Sequence, residues 1–272
     1  MAGSMQIKRT TATRTRVSRR KIYPVPRSRI NNIETGLRIK LKAIYTKIFD
    51  GWRKQIQVAE AFREAQPIAV NKIGEQYRND MYVAVFGAKR KAAQAAVNAV
   101  GRQTRNKGLD TRFFNQRILP ALKRRTLLVV DQHIVEGMEA RVKAILSQGM
   151  MEGATQEQII AHLDGIKGNY ATIARTETHS AANEAGYEAA TQTLDAIGGV
   201  TKFVKGWQTS EDEDVRETHV RAGEDYGEGR EIPVEQNFKV GAVEMPYPGE
   251  YGSAPEEVIN CRCNYYIVPK EG

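Results

Sequence analysis

Apolar residues recur at steps of three and four from Ile30 through Ile33, Leu37, Leu41, Ile44, Ile48 and Trp52 to Ile56. A period of 3.6 puts them on one stripe of a helix. Arg38, Lys40, Lys42, Lys47, Arg53 and Lys54 fall on the other faces, so the pattern predicts a long amphipathic helix with a basic back. Gly36 and Gly51 lie inside it and each costs about 1 kcal/mol relative to alanine, which tertiary contacts must offset. Before it, Tyr23-Pro24-Val25-Pro26 prevents helix from running backward.

Pro67 is expected to open a second helix, in which Val70, Ile73, Tyr77 and Met81 keep the helical spacing ahead of an alanine-rich stretch at 88–100. Alanine on several faces permits neighbouring helices to approach closely. After a basic linker at 102–107, Phe113, Phe114, Ile118 and Leu122 resume the pattern, which continues through Met138, Val142 and Ile145. Pro120 is expected to kink or split this helix, and Gly149 to end it. Thr155 and Gln158 have the spacing of a capping box for a short helix over Ile159, Ile160 and Leu163, and a further helix is expected over about residues 170–194.

From 198 onward the pattern changes. Glycine, proline and aromatics become frequent, and apolar residues come in short pieces at 203–207, 232–234, 238–243 and 265–268 that read as brief strands between long loops. The expected fold class is α+β: a mainly helical N-terminal two-thirds with long helices, followed by a small loop-rich β domain. The expected division is a basic disordered or extended arm over 1–29, a helical domain over 30–197 and the β domain over 198–272. So small a β domain has few apolar residues, which is a reason to look for a staple such as a metal, a partner surface or packing on the preceding helices.

Length and composition, 272 residues with 41 % hydrophobic and 27 % charged, are those of a globular protein with an ample core. No stretch approaches the roughly 20 apolar residues of a membrane span. The basic start has no apolar core of signal-peptide type, so secretion is not expected, and two cysteines suit a reducing compartment. The net charge of +9 is unevenly placed. Residues 1–29 carry Lys8, Arg9, Arg14, Arg16, Arg19, Arg20, Lys21, Arg27 and Arg29 and no acid, whereas the C-terminal region is rich in Asp and Glu. A self-repelling arm of this kind is expected to contact double-stranded DNA or an acidic partner; a solubilising tail is the plain alternative.

The chemistry concentrates in Asn260-Cys261-Arg262-Cys263, which contains both cysteines of the chain. Residues i and i+2 on an extended chain point to one face but reach relaxed disulfide geometry poorly. Shared orientation suits a metal, and zinc takes such thiolates with further donors from elsewhere in the fold. Of His133, His162, His179 and His219, only His219 lies in the same region, with His179 on the helix just upstream, so the tentative ligand set is Cys261, Cys263, His219 and His179. The competing reading is that both cysteines are small buried hydrophobes. Arg216 and His219, three apart, share one side of a helical turn, with Asp214 the expected acid for Arg216. Arg175 and His179 are i, i+4 neighbours that could face the cysteines. Glu211-Asp212-Glu213-Asp214 lacks the alternation and central glycine of a calcium loop and reads as a solvated turn.

Ala174-Arg175-Thr176-Glu177-Thr178, Trp207-Gln208-Thr209, Asp214 with Arg216 and His219, Pro246 and Pro248, and Asn260-Cys261-Arg262-Cys263 follow one another in a fixed order over roughly the last hundred residues. In that order they resemble the bacteriophage Mu F-like minor head protein family, over about residues 170–268. The chain departs from the family in His219-Val220-Arg221-Ala222-Gly223-Glu224-Asp225, where members usually carry a short aspartate and glycine turn. The resemblance implies a structural minor head (capsid) protein of a tailed phage, acting in head morphogenesis at the portal or capsid interior and in DNA packaging or ejection. Its implied partners are the portal protein, the major capsid protein and packaged double-stranded DNA, with no membrane, and its implied place is the virion, reached through the host cytoplasm. It implies no enzymatic activity. Arg175, Glu177, Asp214, Arg216, Asn260 and Arg262 are then structural polar ties. Two alternatives are a DNA-binding internal virion protein and a metal hydrolase or transferase with Glu177 as its carboxylate.

Overall fold

A computed structural model describes residues 21–58, 70–165, 169–197 and 199–270. It is an α+β fold in which long helices lead and short antiparallel strands follow. Helix α1 (Arg27–Val58) buries the anticipated stripe: Ile30, Leu37, Leu41, Ile48, Trp52 and Ile56 are all 2 % exposed or less. It lies along α2 (Val70–Thr104), where the Trp52 indole donates to the Val70 carbonyl at 3.3 Å. Pro67 lies outside the described residues.

Helix α7 (Tyr170–Ala196) is the centre of the molecule and packs against both α1 and α2. It is buried on nearly every face, by Ala174, Ala181, Ala182, Ala185, Ala189 and Ala190 together with small polar residues. Its alanines meet those of α2: Ala92, Ala95, Ala96 and Ala182 share a cluster with Val25 and Ile30. Side chains this small leave little between the backbones, which is how three long helices pack tightly around one axis.

Between α2 and α7 runs a nearly continuous helical rod: α3 (Thr111–Phe113), a π segment (Phe114–Ile118), α4 (Leu119–Leu128), a second π segment (Val129–Val135) and α5 (Glu136–Glu152). Pro120 stands in the first turn of α4, directly after the wide π turn. There its missing N–H breaks no α-helical ladder, so the proline is absorbed where a kink or split was expected. Gly149 does not end this rod. It lies inside α5, where a Cβ would fall 2.7 Å from Ile159, and the helix ends at Gly153 with φ of 67°. Helix α6 (Gln156–Gly165) starts with the anticipated capping box: Thr155 N donates to Gln158 Oε1 at 2.8 Å, and Gln158 N to Thr155 Oγ1 at 3.3 Å.

The C-terminal part holds β1 (Phe203–Gln208), α8 (Glu217–Asp225), β2 (Ile232–Pro233), β3 (Phe238–Val240), β4 (Val243–Met245), α9 (Pro255–Val258) and β5 (Asn264–Pro269). Strand β1 is central, antiparallel to β2 and β5. Its register sets Trp207 opposite Tyr265 and Gly206 opposite Tyr266. A Cβ on Gly206 would enter the Tyr266 ring, so only glycine lets that tyrosine lie across the strand. The apolar piece expected as one strand over 238–243 is a hairpin, because Gly241 turns the chain at φ of 58°.

The boundary at 197/198 is a change of secondary structure, not a break in the core. One cluster joins Val97, Phe113, Phe114 and Ala185 of the helices to Trp207, Phe238, Tyr265 and Ile267. Residues 21–29, assigned to the arm by their charge, belong to the fold. Ile22 exchanges backbone hydrogen bonds with Ile267 at 2.8 and 3.0 Å, Lys21 pairs with Glu228 at 3.0 Å, and Arg27 and Arg29 are already in α1. Among the described residues no helix is long and apolar enough to cross a membrane.

Candidate metal centre

Two short elements bring the chemistry together. Arg216 caps α8 in an extended conformation, which places His219 in the first turn beside Ala222 on the buried side. The Trp207 ring meets the imidazole edge-on at 5.4 Å and fixes its plane. On the other side Pro255 opens α9, Glu257 and Val258 are buried, and Asn260 adopts a left-handed φ of 66°. That turn reverses the chain so that Cys261 and Cys263, two residues apart, both face inward as free, buried thiols.

His219 Nδ1 lies 3.4 Å from Cys263 Sγ and 3.6 Å from Cys261 Sγ, and one donor atom from each of the three lies within 4.8 Å of the others. Zinc bonds of about 2.3 Å to sulfur and about 2.0–2.1 Å to nitrogen, at a tetrahedral angle, require a nitrogen-to-sulfur separation of about 3.6 Å. Both nitrogen-to-sulfur distances therefore match those of a metal shared by the three side chains. The remaining ring nitrogen, Nε2, is 3.1 Å from Glu257 Oε2, which also accepts from Thr218 Oγ1 at 2.8 Å. In the tautomer that carries its proton on Nε2, directed at the carboxylate, Nδ1 is the lone pair facing the sulfurs, as a metal-ligating histidine requires.

Without a metal the two thiols share a proton unequally. The Cys261 thiol donates to Cys263 and, with a proton on His219 Nδ1 adding to the effect against the opposing influence of burial, holds Cys263 well below its ordinary value. Cys261 is pushed well above its ordinary value by the same hydrogen bond and by burial. Cys263, His219 and Glu257 thus stand in the order of a thiol, imidazole and carboxylate relay. A nucleophile must meet a substrate, however, and Cys263 is 2 % exposed and His219 1 %. What the three side chains offer together is a set of metal ligands.

The remaining motif residues fasten this centre to α7. Arg175 donates to Asn260 Oδ1 at 2.8 Å, and Asn260 N donates to Thr176 Oγ1 at 2.8 Å, so the left-handed turn is clamped from both ends. Arg175 also reaches Glu34 at 3.3 Å, as does His179. Burial raises the Glu34 carboxyl, but His179 and Arg175 outweigh it and hold it below its usual range. His179 is accordingly not a ligand of the cysteine cluster: it shares a helix face with Arg175, and that face meets Glu34 of α1. Arg216 donates to the Ile259 carbonyl, while the acid expected for it, Asp214, accepts from Arg262 at 3.2 Å; Arg262 also holds Asp212 at 2.6 Å. Glu177 lies in a buried ion pair with Lys89 at 2.7 Å.

Sequence reasoning missed Glu257, Thr218 and Asn183. The Asn183 amide donates to the Pro248 carbonyl at 2.8 Å and to the Cys263 carbonyl at 3.0 Å, holding the loop and the N-C-R-C segment to α7. An asparagine inside an alanine-rich helix was the one signal that could have drawn notice. Of the arm residues, Arg9, Arg14, Arg16, Arg19 and Arg20 lie outside the described residues. Lys21 and Arg27 are engaged with Glu228 and with the Thr209 carbonyl, and Arg29 is exposed.

A family model described as phage Mu protein F like protein matches residues 140–266. That span takes in α6, α7 and every residue of the cysteine and histidine cluster. No curated protein and no solved structure matches the chain.

Proposed function

Because this is a Mu F-like phage protein, by its residues 140–266, we propose that it serves phage head morphogenesis as a minor head protein, structurally, at the portal or on the capsid interior. One observation carries the reading: the motif residues are spent on binding the terminal loop to α7, around a centre closed to solvent. Arg175, Thr176 and Asn183 hold the loop, Arg216 and Arg262 hold its flanks, and Glu177 is neutralised by Lys89. We read the chain as turning over no substrate.

Zinc is the metal we assign to His219, Cys261 and Cys263, oriented by Glu257. Bound there, it would cross-link α8 to the N-C-R-C segment and supply the staple that a small, loop-rich module needs. The arm bases before Lys21 are read as contacts to packaged double-stranded DNA, and the portal and major capsid proteins as the neighbours in the head. The basic arm also supports a second reading, a DNA-binding internal protein of the virion.

The test is location. In gradient-purified particles from infected cells, the chain should co-sediment with heads and occupy density inside the shell at the portal vertex. Its absence from particles would overturn the assignment. Removing residues 1–20 spares the Ile22 to Ile267 pairing and should lower DNA binding without changing the melting temperature. Unchanged, salt-insensitive binding by the truncated chain would remove the role of the arm.

A further inference from the structure

A groove of about 290 Å³ runs between α1 and α2, and no residue of the metal centre lines it. Its floor includes Gly36 and Gly87 beside Ala84 and Ala88. Gly51, the other glycine of α1, has a reason within the fold, since a Cβ there would press on Ile73 at 3.3 Å. Gly36 and Gly87 have none: a Cβ at either would meet nothing within 4 Å. A glycine inside a helix weakens the helix, and here no contact within the chain is gained in return. What the two glycines do provide is bare backbone open to something outside.

Two further observations describe what that is. Ile39 and Val83 are 64 % and 60 % exposed, among the most exposed aliphatic side chains of the described residues. Each lies one turn from a floor glycine, Ile39 from Gly36 and Val83 from Gly87, flanking the groove and not part of its lining. The groove is also rimmed by Arg29, Lys40 and Lys91, with no acid in its lining. None of the three has an ion-pair partner among the described residues. Glu34, the acid of that stretch of α1, turns inward to Arg175 and His179, and Asp80 lies a turn beyond Ala84.

We infer that the α1–α2 groove docks an amphipathic helix of a partner protein, its small or aliphatic ridge seated on Gly36 and Gly87 and its flanking acids paired with Arg29, Lys40 and Lys91. Bare backbone and exposed aliphatics are of no use to a phosphate backbone, which needs the basic rim alone. A second copy of the chain would bring the same basic rim against itself, and like charges facing each other oppose that contact. The basic residues 1–20 are repelled for the same reason. An acidic helix satisfies all three observations, in the manner of a helix laid in a groove. This inference rests on the groove alone and is independent of the virion reading.

The experiment uses the full chain and a fluorescein-labelled synthetic peptide of about five helical turns, with leucine and alanine on one face and glutamate flanking it. Fluorescence anisotropy should give saturable binding. It should weaken by about tenfold or more in Gly36→Leu/Gly87→Leu, which fills the floor, and in Lys40→Glu/Lys91→Glu, which reverses the rim. Because the floor is open and leucine is the better helix former, the leucine variant should melt no lower than the parent, which separates lost docking from lost folding. A control peptide with serine for leucine should bind at least tenfold more weakly, about 1.4 kcal/mol. The inference is overturned if the peptide does not bind, or binds the leucine variant as well as the parent. It is equally overturned if only a duplex oligonucleotide responds to the rim reversal, or if sedimentation shows a dimer that the leucine variant dissolves.

Discussion

The sharpest perturbation of the structural reading is the Lys89–Glu177 pair. Its charges are 2.7 Å apart, Lys89 is 2 % exposed and Glu177 7 %, and the pair ties α2 to α7 in the middle of the motif helix. Removing one partner strands a buried charge, which costs about 3–5 kcal/mol, whereas replacing both by apolar residues of similar size is about neutral. The Tyr251 ring lies 5.5 Å from the Lys89 ammonium and leaves it a weak partner, so Glu177→Leu belongs in the lower half of that range. Lys89→Met leaves the carboxylate and belongs in the upper half. At about 2–4 °C per kcal/mol, the single variants should melt about 6–20 °C below the parent. The Lys89→Met/Glu177→Leu double variant should recover most of that loss. Urea unfolding of the parent, both singles and the double gives the coupling energy directly. Single losses below about 1 kcal/mol that simply add would refute a buried tie and return Glu177 to the pool of free carboxylates.

Two other perturbations probe the neighbouring chemistry. Glu257→Gln keeps the shape but removes the charge facing His219 Nε2, and should weaken zinc binding by about 10–100-fold in competition with a chromophoric chelator; affinity within twofold of the parent would deny Glu257 its orienting role. Lys205 is fully buried, donates to the Pro246 carbonyl at 2.6 Å, and is pulled by burial from 10.5 down to about 7. Between those values the unfolded chain holds a proton that the folded chain lacks. Its contribution to stability should therefore rise with pH across that window, and its cost should be fully present below it. Lys205→Met should flatten that rise in denaturation midpoints taken from pH 7 to 10, by an amount on the order of a few kcal/mol; an unchanged slope would show that the lysine does not titrate there.

How much of this could be read in advance follows from where each signal resides. The α1 stripe was legible because that helix is buried on one side only, so burial repeats at 3.6 residues. Helix α7 carries no such period, since α1, α2 and the strands cover it on nearly all sides; only its alanines hinted at close packing. The common face of Cys261 and Cys263 was legible because alternation is a property of extended backbone. That His219 joins them could be inferred from their shared region, but Glu257 could not, because it meets His219 only through the tertiary fold. His179 was misassigned for an instructive reason. Its i, i+4 relation to Arg175 does give both one face, but nothing in helical spacing says whether that face meets the cysteines or Glu34. The position of Gly149 was misread likewise, because a glycine that ends a helix and one that admits Ile159 look alike without the partner.

Whether the cysteine and histidine cluster is a metal staple is decided by the metal content of the full chain purified without chelator, combined with its melting temperature before and after exposure to a strong chelator. About one zinc per chain is expected, lost in Cys261→Ser and Cys263→Ser, with a clear fall in melting temperature when the metal is withdrawn. A well-folded, metal-free preparation whose melting is indifferent to added zinc would rule the staple out.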